Sequence, residues 1–234
     1  MNWAGHLSVS LLGYVLVLTP YLLRASDFGT VGLVKLPSAR MAEDGQLRAT
    51  VSREEIADIY NISFQGTPWL EATFRYSVFN PRELSRSLDE TRDRSYEAKM
   101  RVLEEGAAVP QVAFGVRDIL GTGIWEGEYI VASKKFGPID LTVGMGWGRL
   151  AQRGSFANPL EVLGEGFLER PQKAGGIFGG ESRSKSYFRG RSAWFGGVRY
   201  KVNRWPLELL MEYDTDDYSR EVALDTITGP SPWN

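Results

Sequence analysis

Leu70-Glu71-Ala72-Thr73-Phe74-Arg75-Tyr76-Ser77-Val78 alternates apolar with polar residues at every step. Tyr96-Glu97-Ala98-Lys99-Met100-Arg101-Val102 does the same, and so does Ile139-Asp140-Leu141-Thr142-Val143-Gly144-Met145-Gly146-Trp147. Successive side chains on a β-strand point to opposite faces, so a period of two gives each strand one apolar and one polar face. Each run is about the length of a tilted strand that crosses a bilayer, roughly nine to eleven residues. The pattern predicts an all-β, antiparallel protein: a transmembrane β-barrel or a partial barrel.

Outside these runs the same reading places strands at 46–52, 59–65, 111–118, 125–136, 192–202 and 206–214. The connections at 66–69, 106–110, 137–138 and 203–205 are tight, whereas 79–94 and 149–191 are long and 119–124 is intermediate. Outer-membrane barrels put short turns on the periplasmic side and long loops outside, and one assignment of sides fits all of these connections. A soluble β-sandwich shares the alternation but has no reason to sort its turns by length. Strands one and nine run the same way, so nine strands cannot close an antiparallel barrel. The expectation is therefore about nine or ten strands, with one unrecognised or with pairing supplied from elsewhere. The chain divides into a signal segment at 1–25, an irregular periplasmic lead-in at 26–45, the strands at 46–214 with external loops 79–94 and 149–191, and a polar tail at 215–234.

Met1 to Ala25 is nearly all apolar between Leu7 and Leu23 and ends in Arg24-Ala25-Ser26, which suits a secretory signal helix with a small residue before the cut. An N-terminal membrane anchor is the alternative, although Pro20 interrupts a run already short for a bilayer. No other stretch is apolar enough for a transmembrane helix. The 234 residues carry a net charge of −2 and no basic run, so there is no electrostatic case for nucleic acid. There is no cysteine, which excludes disulfides, thiolate metal sites, cysteine nucleophiles and a lipid-modified N-terminal cysteine. The single histidine, His6, lies in the segment expected to be removed, so serine–histidine triads are excluded as well. No cofactor or metal is expected.

The polar face of the strands predicts a water-filled lumen lined by Arg75, Glu97, Lys99, Arg101, Arg117, Glu128, Lys134, Arg199 and Glu208. Tyr96, Met100, Leu141, Val143, Val198 and Leu209 are expected to meet lipid. On this reading Val143→Arg impairs insertion while Lys99→Gln is tolerated. Glu126 and Glu128 lie on one face of strand six, as paired carboxylates might for glycoside hydrolysis, against the plain reading of charged lumen residues; spacing alone fixes no carboxyl–carboxyl distance. Gly144-Met145-Gly146-Trp147-Gly148 has no following helix, so the glycines read as close packing in the wall rather than a phosphate loop. Trp69 and Trp205 fall at tight turns and read as interfacial girdle residues, with sugar stacking as the sharper alternative for aromatics of the lumen or loops. Arg183, Lys185, Arg189 and Arg191 cluster in the long loop and are candidates for contact with an external polyanion.

A further set of motifs carries a family resemblance. Gly29-Thr30-Val31-Gly32-Leu33, Pro37-Ser38-Ala39-Arg40-Met41 and Pro68-Trp69-Leu70-Glu71 open it. Leu103-Glu104-Glu105, Pro110-Gln111-Val112-Ala113, Gly115-Val116-Arg117-Asp118, Gly121-Thr122-Gly123 and Glu128-Tyr129 continue it. Ala132-Ser133-Lys134, the glycine-rich 144–148 run and Phe195-Gly196-Gly197-Val198 complete it. The chain resembles the YjbH family of outer-membrane proteins linked to exopolysaccharide and capsule production over nearly all of residues 29–220.

The resemblance implies a β-barrel in the cell outer membrane with a role in making or exporting surface polysaccharide, and no catalytic residue to carry over. The partners it implies are outer-membrane lipid and lipopolysaccharide, exopolysaccharide, and other proteins of the export system. Family members are several times longer, so this chain reads as an N-terminal portion. Some relatives look like lipoproteins, a form that a chain without cysteine does not take. The leading expectation is a non-enzymatic component of exopolysaccharide production or export. A general porin-like diffusion channel and a carbohydrate-active enzyme using Glu126 and Glu128 are the alternatives.

Overall fold

The computed structural model describes residues 25–54, 57–79, 92–171, 179–180, 182–218 and 231–233. The expected signal helix (apart from Ala25) and most of loop 79–94 lie outside these residues. Nine strands follow in order: β1 (Leu47–Arg53), β2 (Ala57–Thr67), β3 (Leu70–Phe79), β4 (Arg92–Leu103), β5 (Gln111–Ile119), β6 (Gly127–Phe136), β7 (Ile139–Trp147), β8 (Ser192–Lys201) and β9 (Glu208–Tyr213). They form one sheet in sequence order, each strand antiparallel to the next. Among the described residues β1 and β9 do not pair with each other, so the sheet is not closed. No α-helix occurs among them; the regular non-strand pieces are short 3₁₀ turns.

The strand expected from Trp125 begins two residues later, at Gly127. Asp118 and Leu120 take the left-handed region, with φ of 61° and 59°, and break the alternation at the end of β5. The chain then folds inward and buries Ile124 and Trp125, with the Trp125 backbone N–H donating to Asp118 Oδ2 at 3.0 Å. Tight connections fall at one end of the sheet, at 68–69, 104–110, 137–138 and 202–207, and the long ones at the other. The link from β1 to β2, residues 54–56, departs from that sorting, because it is short and lies at the long-loop end.

The two faces of the sheet are the reverse of a soluble protein's. On β3, Glu71, Thr73, Arg75 and Ser77 are at most 1% exposed; on β4, Asp93, Ser95, Glu97 and Lys99 are too. The apolar alternates face out: Leu47 is 68% exposed, Val51 73%, Val143 47% and Leu209 54%. Trp147 is the exception. Its parity puts it outward, yet it is fully buried, because Phe188 from the long loop packs edge-on against it with centroids 5.1 Å apart.

The concave face is filled by the lead-in. Residues 26–42 have no regular structure beyond isolated bridges, at Ala25–Val31 and Gly32–Pro37, but they lie inside the curl of the sheet and not below it. Both interior apolar clusters depend on them. Phe28 packs with Ala57, Ile59, Phe79, Ile124 and Trp125, and Leu33, Leu36 and Ala39 pack with Ala113, Tyr129, Val131, Leu150 and Phe195. Gly29 has φ +88°, and a Cβ there would stand 2.5 Å from Asn61 Cβ, so only glycine lets the segment pass this close to β2.

Candidate functional site

Irregular backbone inside a sheet needs hydrogen-bond partners, since each unpaired buried group costs about 1–3 kcal/mol. The strands supply them from charged side chains. Glu71 accepts the Val31 N–H at 3.0 Å and pairs with Lys99 at 2.6 Å and with Arg48. The Lys99 ammonium uses its two other protons on the carbonyls of Val31 (2.9 Å) and Arg40 (2.8 Å), so all three donors are matched. On β9, Glu212 accepts from three successive backbone N–H groups, those of Val34 (3.0 Å), Lys35 (2.9 Å) and Leu36 (3.2 Å).

A second cluster surrounds Phe28. Arg75 and Arg117 stand on its ring, each 4.6 Å from the centroid, and both pair with Glu97, at 2.7 and 3.3 Å. Arg75 also donates to the Phe28 carbonyl (3.0 Å) and Arg117 to that of Lys35 (3.2 Å), while the Tyr129 hydroxyl donates to Glu97 at 2.9 Å. Arg199 donates to the Gly32 carbonyl. At the tight-turn end Arg40 forks onto Asp140 (2.7 and 3.0 Å) and reaches Glu105. At the other end Lys35 joins Glu54, just after β1, to the Tyr218 hydroxyl beyond β9, at 3.1 and 2.6 Å. The lead-in thus ties together the two strands that do not pair with each other.

Two interior voids beside this segment measure about 20 and 10 Å³, each the size of a single water. A cleft of about 400 Å³ opens at the tight-turn mouth, lined by Lys135, Asp140, Arg199, Lys201 and Glu208. Asp27 is pushed up to about 6 by burial and by Glu54, and Asp216 is pushed up to about 6 by burial. Glu105 is held down near 2, chiefly by its hydrogen bond from Arg40.

Of the residues expected to line a lumen, Arg75, Glu97, Lys99, Arg117 and Arg199 are buried on the inner face. They touch the lead-in or one another. Arg101 and Glu208 are inward and half-buried; Arg101 stands 3.6 Å from Glu104, and Glu208 3.2 Å from Arg199. Glu128 and Lys134 are corrections, because the β5–β6 register gives the inner face to Gly127, Tyr129, Val131 and Ser133. Lys134 folds down outside to Glu105 and the Val109 carbonyl. Glu128 is buried under the long loop, where Arg170 makes two contacts of 2.7 and 2.8 Å and the Phe188 N–H donates to it at 2.9 Å. Glu126 precedes β6 and is shared by Arg170 and Arg183, each at 2.7 Å. The former glycosidase candidates are therefore the pins of the long loop.

In the basic cluster, Arg183 is spent on Glu126, Arg189 stacks over Phe167 at 5.9 Å, Arg191 donates to Ser155 at 2.8 Å, and Lys185 is exposed. Among the described residues no group of three or more histidine, cysteine or carboxylate side chains is placed to hold a metal. Sequence reasoning missed Glu71, Arg48 and Glu212 as holders of the lead-in. Glu71 alternates into the same face as Arg75, and that was the available signal.

Comparison with known proteins identifies the chain. The family described as "Exopolysaccharide biosynthesis protein YbjH" matches residues 24–234. The protein is 40% identical over 206 residues to the uncharacterized lipoprotein YjbH of Escherichia coli (strain K12), across 85% of this chain and 29% of that relative. It thus spans under a third of the relative's length. No solved structure matches. A match over nearly the whole of the described chain places this protein in the YjbH family of exopolysaccharide biosynthesis proteins.

Proposed function

We propose that this chain is a non-enzymatic, membrane-embedded β-barrel portion of an exopolysaccharide production or export apparatus in the outer membrane. The observation that carries this is the inversion of the sheet, with ion pairs and amides inside and a continuous apolar surface outside. Large exposed apolar surfaces on a soluble monomer are unfavourable, whereas strands that meet lipid require them. The relative's description as a lipoprotein accords with a membrane setting. Secreted polysaccharide and neighbouring export proteins are the partners that this role entails.

The packed interior disfavours the porin alternative. A diffusion channel needs a continuous aqueous path, and here the lead-in occupies the concave face and leaves voids of about 20 and 10 Å³. A glycosidase using Glu126 and Glu128 is disfavoured by their arginine partners, which hold both carboxylates in ion pairs. Deleting the gene and measuring both surface polysaccharide and uptake of small solutes tests the reading. The expected result is loss of polysaccharide with normal uptake. Normal polysaccharide with slowed uptake refutes it in favour of a porin. Glycan cleavage that disappears in Glu128→Gln refutes the non-enzymatic part.

A further inference from the structure

The long connection from β7 to β8 was expected to be an external polar loop, and part of it lies elsewhere. Phe156 pairs with Ser192 on the edge of β8 away from β7, with backbone hydrogen bonds of 2.8 and 3.1 Å, and its ring stacks on Trp194 at 6.0 Å. Trp194 is outward by parity and 59% exposed. Fourteen residues later (170 − 156), Arg170 grips Glu128, outward by parity on β6. Between those anchors the chain crosses the outer side of β8, β7 and β6, past Trp147, which Phe188 covers.

The crossing stretch is fixed from within. Asn158 caps the turn at Leu160 and its amide donates to the carbonyls of Phe167 and Phe188, at 3.1 and 2.8 Å. Gly190 N–H donates to the Phe167 carbonyl at 3.0 Å. This fixed stretch displays three large apolar side chains: Val162 is 84% exposed, Leu163 71% and Leu168 51%. They lie in the chain between the two outward anchors, Phe156 on Trp194 and Arg170 on Glu128, at the end of the strands where the long loops emerge.

We propose that residues 156–168 form a lipid-resting foot, which extends the wall's apolar surface from the strand ends into the headgroup layer of the membrane. The inference rests on the membrane reading of the sheet. Continuity with the wall selects lipid as the occupant. The foot is carried on the outward side of three adjacent strands, and aromatic residues mark its root as they mark bilayer interfaces generally. Exposed Glu161, Glu165 and Glu169 interrupt the apolar residues, so the stretch is suited to rest at the interface and not to cross the hydrocarbon.

The cysteine-free chain makes the test clean. An environment-sensitive fluorophore is placed on single cysteines at Val143, Val162, Leu163 and Lys185. Each labelled protein is reconstituted into phosphatidylcholine vesicles. Quenching is read with lipid brominated near the headgroup, with lipid brominated deep in the acyl chains, and with aqueous iodide. The expected result is that 162 and 163 are quenched by shallow bromolipid and shielded from iodide relative to 185, with blue-shifted emission. If 143 is quenched by bromolipid while 162 and 163 behave like 185, the foot is refuted and the embedded wall stands. If 143 is also open to iodide and not to bromolipid, the membrane reading fails and takes the foot with it.

Discussion

Replacing Lys99 with glutamine separates a packed interior from a watery one. A water-filled lumen tolerates the change, because an exposed lysine loses little on becoming an amide. In the structure Lys99 has no exposure, and its ammonium holds Glu71 at 2.6 Å and two lead-in carbonyls at 2.9 and 2.8 Å. Removing one partner of a buried ion pair costs about 3–5 kcal/mol. Each carbonyl left without a donor adds roughly 1–3 kcal/mol. Glu71 keeps Arg48 and the Val31 N–H, and contributions within one network do not add, so the expected total is about 3–5 kcal/mol. Arg101→Gln is the control. Its partner Glu104 is 3.6 Å away with a 77% exposed side chain. Such pairs are worth about 0–1 kcal/mol. Urea unfolding of the refolded protein in detergent, followed by tryptophan fluorescence, gives the difference. Trypsin cleavage after Lys35 and Arg40 reports whether the lead-in has come loose. Equal midpoints for Lys99→Gln and wild type, with the lead-in still protected, refute the packed interior.

Other outcomes follow from the same geometry. Val143→Arg puts a charge on the outward face and is expected to cost about 2–4 kcal/mol near mid-bilayer, read as lost insertion into vesicles. Arg170→Ala leaves Glu126 and Glu128 short of a buried cation, so loop 149–191 becomes protease-sensitive while the heat-modifiable migration of the strands on gels is kept. The two ends respond oppositely to acid. Asp27 and Asp216 titrate near 6 when folded, above the usual carboxylate value, so the native state binds their protons more tightly. Their contribution is fully present below about pH 4 and is lost as pH rises through 6, by up to about 3 kcal/mol for buried Asp216 and by less for Asp27, whose partial exposure screens it. Glu105, held near 2, contributes above about pH 4.5 and loses that as pH falls toward 2. Hydrogen exchange at pH 5 and 7 is expected to show greater protection around 27 and 216 at pH 5, and no protection change around 105.

The strands were legible because alternation is a property of side chains, and in β3, β4 and β7 nothing interferes with it until Trp147. The lead-in was not legible. Residues 26–42 are held through their backbone N–H and C=O groups, so their own side chains carry no periodic signal of where they sit. A trace lay in the strands, where Glu71, Arg75, Glu97 and Lys99 put four charges of both signs on one inner face, more suited to mutual neutralisation than to lining a channel. Glu128 and Lys134 were misplaced because charge was read as the mark of the inner face: odd positions face inward on both β5 and β6, so Tyr129 and Val131 take the inner side against the lead-in, while Glu128 and Lys134 stay outside with Arg170 and Glu105. The covered rim at Glu128 and Trp147 depends on contacts with residues far along the chain, Arg170 and Phe188, that no local pattern announces.

The central claim is that the apolar face of the sheet meets lipid and its charged face meets protein. Spin labels at single cysteines from Glu71 to Val78, in protein reconstituted into vesicles, test it through collision rates with lipid-soluble oxygen and with a water-soluble nickel chelate. The account predicts oxygen maxima at 72, 74, 76 and 78, with low nickel collisions at every position, because the inward residues are buried against the lead-in. Nickel maxima at 72, 74, 76 and 78 would show that face in water and contradict the account.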